Sequence, residues 1–342
     1  MTLDSDQRPG TARTLVPGPA LVTGAAGFVG RRLAHTLRSE GSEVRALVRP
    51  HHDVGDLEAA GATIVRADAT DAGAVADAAA GCRVIFHLAA ARGTHKLGYR
   101  AYQMQNRRMT EAVGRAAVAA GVRRVVLASS ATLTGYSGAG RQTEATSAKP
   151  NSAYRSSRLR AEQVLDRFAR TEGLEVVVAR LSQRIMGPGA RDWTKVVRAV
   201  RDGAFRMLPA GGSIHSGDVD DVAEGLCRCA VGLGASGGRF LLAAAEPMTT
   251  MTVLESIAKH LDVSFEPRIV PAAPFRAYVA LGNLVYRFSR LSLPHHFTAE
   301  FYSARIALDI GHARRRLGFC PRFDMAESIG RTVTWLRQES LI

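Results

Sequence analysis

The stretch Ala20-Leu-Val-Thr-Gly24-Ala-Ala-Gly27-Phe-Val-Gly30 decides how the rest of the chain is read. A short apolar run enters three glycines, Gly24, Gly27 and Gly30. It leaves in Arg31-Arg-Leu-Ala-His-Thr-Leu-Arg38, whose apolar residues recur at helical spacing. The order is strand, tight turn, helix. Glycines let the backbone turn sharply and approach a pyrophosphate, whose charge then faces the unpaired N–H groups and positive dipole end of the helix. The expected guest is a nucleotide. Ordinary strand-to-helix turns also carry glycines, so the flanking sequence has to decide.

Upstream, Met1 to Pro19 is polar and rich in Pro, Gly and Thr without an apolar centre, which argues against a secretory signal and for a loose, disordered tail over 1–18. The 342 residues, 46% hydrophobic and 22% charged, suffice to bury a full core in one large or two modest domains. No run of about eighteen apolar residues occurs, so a spanning helix is not expected. Cys82, Cys227, Cys229 and Cys320 lack the paired spacing of a metal site. They read as reduced, structural thiols of a cytoplasmic protein, with no metal expected. The formal net charge is +14, with arginine pairs at Arg31-Arg32, Arg107-Arg108 and Arg123-Arg124 and a run Arg314-Arg315-Arg316. An anionic cofactor or an acidic carrier protein suits that charge, and arginine-rich genomic composition accounts for it with no function at all. The basic residues are scattered, aromatics make up only 6%, and no nucleic-acid motif accompanies them, so nucleic acid is not an expected partner.

Downstream of the glycines, strands and helices alternate. Glu43 to Arg49 reads as a second strand, ending in Arg49-Pro50-His51-His52. An acid at such a strand end accepts from a ribose 2′-OH, whereas an arginine suits a 2′-phosphate. Arg49 therefore favours NADP over NAD, against the plain reading of a solvated arginine. Ala62 to Ala67 is a third strand running into Asp68-Ala69-Thr70-Asp71, where Asp68 either meets a cofactor or caps the helix from Ala72. Val84 to Ala91 is an apolar run of the kind a buried parallel strand needs, ending in small residues that permit close approach of a cofactor. His87 within it is expected in the core. A helix over Tyr102 to Ala120 carries Asn106, and the strand Val122 to Ala128 delivers Ser129-Ser130-Ala131-Thr132. This alternation predicts an α/β fold with a doubly wound parallel sheet. The next helix opens near Tyr154 in Ser152-Ala-Tyr154-Arg-Ser-Ser-Arg158-Leu-Arg-Ala-Glu162. Ligands of open α/β sheets bind beyond the carboxyl ends of the strands, so a strand-end hydroxyl and a helix-borne phenol can converge there.

The Gly-x-x-Gly-x-x-Gly spacing behind Thr23, the strand-end serines and Tyr154 together make the chain resemble the extended short-chain dehydrogenase/reductase family, from Leu15 onward. The resemblance implies a Rossmann-type sheet with a smaller C-terminal substrate-binding part. It implies a nicotinamide dinucleotide held by Gly24, Ala26, Gly27, Phe28, Val29, Arg49, Asp68, Ala69, Leu88, Ala89, Ala91, Ser129, Tyr154, Arg158 and Ser182. Asp68 would contact the adenine, Asn106 would brace the active site rather than sit as a surface amide, and Ser182 would lie beside the nicotinamide. The segment holding Ser182 lacks the family's first proline and is one residue longer. Of the implied catalytic roles, proton exchange falls to Tyr154 and the substrate oxygen to Ser130, with Ser129 and Thr132 as close competitors. The residue four beyond the tyrosine holds the ribose and favours the phenolate. A free phenol titrates near ~10, so an adjacent cation is what makes it a useful base. Lysine is the family's residue there, and this chain has Arg158. Guanidinium keeps its charge but does not give up a proton, so electrostatic activation of Tyr154 survives while a relay through this side chain does not.

Residues 19–185, with returning segments near 214–245, are expected to form the dinucleotide-binding domain, and 186–213 with 246–342 the substrate-binding and lid region. Within Pro271 to His296, the residues Phe275, Val279, Leu281, Leu284, Val285 and Phe288 share a helix face, with Arg276, Arg287 and Arg290 around it. A core or lid helix is the first reading. An apolar face with basic flanks also suits anionic headgroups, which makes a membrane-surface contact through 271–296 the alternative. The insertion resembles that of the 3β-hydroxysteroid dehydrogenase-like members more than that of the sugar-nucleotide epimerases. The expected function is NADP-dependent interconversion of a hydroxyl and a ketone on a small, largely apolar substrate. Epimerase, dehydratase or non-redox chemistry, and a redox-inert cofactor sensor, are the alternatives. Many relatives pair through the helices equivalent to those of Asn106 and Tyr154, which implies a homodimer.

Overall fold

The computed structural model describes residues 16, 18–91, 99–135, 140–291 and 293–342. The first half alternates strictly: β1 (Ala20–Thr23), α1 (Phe28–Ser39), β2 (Val44–Val48), α2 (Gly55–Ala59), β3 (Thr63–Arg66), α3 (Ala72–Ala79), β4 (Val84–His87), α4 (Tyr99–Ala119), β5 (Arg124–Ser130), α5 (Ala153–Glu172) and β6 (Glu175–Leu181). The second half adds α6 (Thr194–Arg201), β7 (Met207–Pro209), β8 (Ser213–Ile214), α7 (Val219–Val231), β9 (Arg239–Leu242), β10 (Met248–Thr249), α8 (Thr250–Leu261) and β11 (Arg268–Val270). It closes with α9 (Ala273–Ser289), α10 (His296–Ser303), α11 (Gly311–Leu317) and α12 (Met325–Gln338).

Seven strands form one parallel sheet in the order β3-β2-β1-β4-β5-β6-β9. Strand order reverses between β1 and β4, with β2 and β3 added on one side and β5, β6 and β9 on the other, which opens a crevice above their carboxyl ends. Side chains alternate across the pleat, so both faces need cover. Val22 and Phe86 pack with Leu33 of α1 and Leu226 of α7 on one face, and Leu21 and Ile85 with Val113 of α4 and Leu165 of α5 on the other. A third core, with Trp193, Val197, Ile257 and Val333, joins α6, α8 and α12 beside the small pairs β10-β8 and β11-β7.

Three expectations change in detail. The tail over 1–18 lies outside the described residues except at Val16 and Gly18, and Val16 is buried, its carbonyl accepting from Ser42 Oγ. β5 runs two residues further than its apolar pattern, carrying Ser129 and Ser130 on the strand itself. And α9 is not a core helix, since only Gly282 and Tyr286 of its residues are buried. Among the described residues no helix is long and apolar enough to cross a membrane.

Candidate active site

A cleft of about 870 Å³ lies over the β1/β4 crossover, a size suited to a dinucleotide-scale ligand. Its floor is the glycine turn. Gly24 sits at φ +72, and a Cβ there would stand 2.7 Å from the Ala89 nitrogen. A Cβ on Gly30 would stand 2.3 Å from the Gly24 carbonyl oxygen, so α1 can seat on the turn only without that side chain. Gly27 caps α1 with no side-chain hydrogen bond, and the first turn carries no acid. Its terminal N–H groups and positive dipole end therefore remain available to an anion, and Gly27, Phe28, Val29 and Gly30 all line the cleft.

A chain of buried polar groups holds the strand ends above this floor. Ala89 N–H donates to Thr23 Oγ1 at 3.2 Å, and Thr23 Oγ1 lies 2.8 Å from His87 Nδ1. His87 Nε2 lies 3.2 Å from Thr110 Oγ1, whose own proton goes to the Asn106 carbonyl at 2.8 Å. Only one arrangement satisfies every member: Thr23 donates to Nδ1, and a neutral His87 donates from Nε2. Burial, with the charge of Arg158 added, pushes the imidazole down to about 3. Asn106 is buried too. Its Oδ1 accepts from Ala91 N–H at 2.6 Å, and its Nδ2 donates to Ser157 Oγ at 2.7 Å, which in turn donates to the Tyr154 carbonyl. His87 is thus the core histidine expected of it, and Asn106 braces β4 against α5 instead of lying on the surface.

At the β5 end the pleat separates the two serines. Ser129 lines the cleft but its hydroxyl donates to Glu162 at 2.5 Å, whereas Ser130 Oγ pairs with Thr132 Oγ1 at 2.8 Å on the cleft wall. Burial alone would raise the Glu162 carboxyl, but the Arg180 bonds at 2.9 and 3.1 Å and the Ser129 hydroxyl outweigh it and hold the group below its ordinary range. Ser152 caps α5 by accepting from Arg155 N–H, which puts half-buried Tyr154 in the first turn. Arg158 follows one turn on, on the same helical face. It is 2% exposed and lines the cleft, and its Nε has no hydrogen-bond partner among the described residues. Ser182 Oγ, also on the cleft wall, is likewise unpartnered. Two buried, unsatisfied polar groups facing one cavity are what a site built for a polar ligand leaves behind, so the residues present fit a nicotinamide dinucleotide.

Other expected contacts fall into two groups. Ala26, Arg49, Ala69, Leu88 and Ala89 line the cleft with the glycines. Asp68 and Ala91 do not. The Asp68 carboxylate accepts from Thr70 N–H and Oγ1 at 2.8 and 2.7 Å, bonds that hold it below the usual range, and it lies 3.8 Å from Arg49 Nε. Nor does Asp68 cap the next helix: Asp71 does, accepting from Ala74 N–H. The Ala91 amide is taken by Asn106.

The opposite wall comes from residues no motif announced. Tyr99 and Tyr102 of α4, Arg184 and Ile185, and Arg290, Leu291, Phe297 and Phe301 around α9 and α10 all line it. Arg184, at φ 46, stacks 4.3 Å over Phe301, and Arg290, at φ 60, lies 5.5 Å over Tyr99. A buried ion pair fixes this wall to the helix that carries Tyr154: Arg155 of α5 meets Glu300 of α10 at 2.9 Å, and Asn151 donates to both Glu300 and Asn283. Sequence reading singled out Arg290 beside its helix but none of these pairings, because the partners are far apart in the chain and no short spacing marks them.

A sequence model of the NAD dependent epimerase/dehydratase family matches residues 20–237. The protein y4nL of Sinorhizobium fredii, itself uncharacterised, is 30% identical over 95% of this chain and 97% of its own length. A 4-hydroxy-2-methyl-3-oxo-4-farnesyl-3,4-dihydroquinoline-1-oxide ketoreductase of Stigmatella aurantiaca is 28% identical over 88% of this chain and 91% of its own. Among solved structures, the dTDP-glucose 4,6-dehydratase DesIV of Streptomyces venezuelae, with NAD and TYD bound, superposes with a TM-score of 0.76 at 24% identity, over 95% of this chain and all of that one. At that identity the superposition speaks for the fold.

Proposed function

Because the chain belongs to the NAD dependent epimerase/dehydratase family, and so to the NAD(P)-dependent enzymes of the extended short-chain dehydrogenase/reductase type, we propose that it is an NADP-dependent oxidoreductase interconverting a hydroxyl and a ketone on a small, largely apolar substrate. One observation carries the reading: Ser130, Tyr154 and Arg158, whose Nε is unsatisfied, share a cleft with an uncapped helix terminus. The aromatic and aliphatic wall of Tyr99, Tyr102, Leu291, Phe297 and Phe301 supports an apolar substrate, and the ketoreductase among the relatives supports a ketone. Arg49 beyond the β2 end supports a 2′-phosphate.

The dinucleotide, when bound, supplies or accepts the hydride. The chain supplies position and protons. The amino end of α1 would hold the pyrophosphate, Arg158 would donate to the ribose hydroxyls, and Ser182 would serve the nicotinamide end. Ser130, oriented by Thr132, donates to the substrate oxygen, while Tyr154 delivers or takes the proton at that same atom. The fixed charge of Arg158 stabilises negative charge on the phenol oxygen, and proton exchange with solvent runs through another route because guanidinium keeps its protons. Residues 19–185 with 214–245 serve the cofactor and residues 186–213 with 246–342 the substrate, and a homodimer through α4 and α5 follows from the resemblance.

Fluorescence titration with NADPH and NADH, joined to product analysis over a panel of apolar ketones, tests this. NADPH binds more tightly, Tyr154→Phe abolishes turnover with cofactor affinity unchanged, and Arg158→Met weakens NADPH binding by roughly 10- to 100-fold, the worth of one charged hydrogen bond. No turnover of any ketone, with tight NADPH binding insensitive to Arg158→Met, overturns the proposal. Product formed without net use of NADPH moves the reading to epimerase or dehydratase chemistry.

A further inference from the structure

Helix α9 presents its apolar side outward. Leu281, Leu284 and Phe288 are 51, 52 and 78% exposed, and Leu291 and Phe297, which follow it, are 68 and 39% exposed. Ala277 and Ala280 are exposed as well, so positions 277, 280, 281, 284 and 288 form one stripe at helical spacing, and Leu291 lies just past the helix end at Ser289. The inner side of α9 is taken up by Gly282, which packs on the His296 ring, and by Tyr286, whose hydroxyl lies 3.0 Å from Ser156 Oγ. An element that is apolar on both sides is ordinarily covered on both, and among the described residues nothing covers this one.

The charge around the stripe selects the occupant. Residues 267–299 contain Arg268, Arg276, Arg287 and Arg290 and not one Asp or Glu. Arg276, Arg287 and Arg290 are exposed. A second copy related by a two-fold axis would set these arginines against their own equivalents with no carboxylate in the segment to pair them, which is unfavourable. An anionic lipid surface accepts both features at once, burying the stripe at the acyl boundary while headgroups neutralise the arginines. At about 1.5 Å per residue the helix is about 25 Å long, enough to lie flat in an interface. The stripe also runs into the cleft, because Arg290, Leu291 and Phe297 line its wall.

We propose that the outer face of α9, continued by Leu291 and Phe297, docks this protein on an anionic bilayer surface with the mouth of the cleft turned toward the lipid. Docking does not depend on which reaction the cleft performs, and its test needs no turnover.

The experiment is co-sedimentation of the full chain with phosphatidylcholine vesicles and with the same vesicles containing phosphatidylglycerol. The protein partitions onto the anionic vesicles, with little binding to the neutral ones and release by salt. Each arginine near the surface contributes about fivefold to partitioning, so Arg276→Gln with Arg287→Gln lowers it by roughly 25-fold. Leu284→Glu with Phe288→Glu reduces it to the neutral-vesicle level. Neither pair lines the cleft, so NADPH titration and the unfolding midpoint of both variants match those of the parent. Equal binding to the two vesicle types, or variants that bind as the parent does, overturns the proposal. So does a light-scattering mass showing an assembly that Leu284→Glu with Phe288→Glu dissolves while the parent ignores vesicles, since that outcome assigns the stripe to a second copy.

Discussion

Lowering the pH from 7.5 to 5.0 should weaken the fold through His87. The ring is fully buried, accepts from Thr23 at Nδ1 and donates to Thr110 at Nε2, and burial with the charge of Arg158 holds it near 3. In the unfolded chain it titrates near ~6.5. A histidine depressed by folding stabilises fully above its unfolded value, and that contribution is lost as pH falls through 6.5 toward 3. With these two values the loss between pH 7.5 and 5.0 is about 2 kcal/mol, rising to about 3 kcal/mol at pH 4. Protonation at Nδ1 would also set that N–H against the Thr23 hydroxyl proton and free the Ala89 end of the cleft floor. The assay is urea unfolding followed by tryptophan fluorescence at both pH values, for the parent and for His87→Gln, which keeps one acceptor and one donor. His215, pushed down to about 4 chiefly by burial, titrates in the same sense but is present in both proteins and cancels. The parent should lose about 2 kcal/mol more than the variant across this interval. Equal losses would refute a buried, neutral His87.

Gly30→Ala places a Cβ against three backbone atoms, 2.3 Å from Gly24 O and 3.0 Å from both Ala25 Cα and Gly24 C. It should cost about 1–3 kcal/mol in urea unfolding and at least about tenfold in NADPH affinity, whereas Gly55→Ala, whose Cβ meets nothing closer than 3.8 Å, leaves both unchanged. Glu300→Ala leaves the buried Arg155 charge without its carboxylate and should destabilise by about 3–5 kcal/mol, read from the unfolding midpoint, with Glu300→Gln milder. Arg49→Ala should weaken NADPH binding by roughly tenfold or more and leave NADH nearly unchanged. An equal fall for both cofactors would remove Arg49 from the 2′-phosphate.

Reading from Ala20 to Arg38 was enough to place the strand, the turn and the anion-facing helix, because each of those is a local event: a positive φ, a missing Cβ, a run of apolar residues at one period. Tyr154 and Arg158 were legible for the same reason, four residues apart on a helix whose cap, Ser152, precedes them. Asp68 shows where local reading fails. The sequence reading offered it as the cap of the helix from Ala72, but the residue next to that helix is Asp71, which accepts from Ala74 N–H, while Asp68 turns to Thr70.

The sequence by itself thus determined the period of every long element, the doubly wound α/β class and the identity of the groups offered at the carboxyl ends of the strands. Tertiary structure alone decided which of Ser129 and Ser130 keeps a free face, since that depends on which side of β5 carries Glu162. It also set the tautomer of His87, through hydroxyls on β1 and α4, and the far wall of the cleft, through an ion pair joining residues 155 and 300. Hydrogen-bond partners distant in the chain leave no periodic trace, because strand order and helix packing, not spacing, bring them within hydrogen-bonding distance of one another.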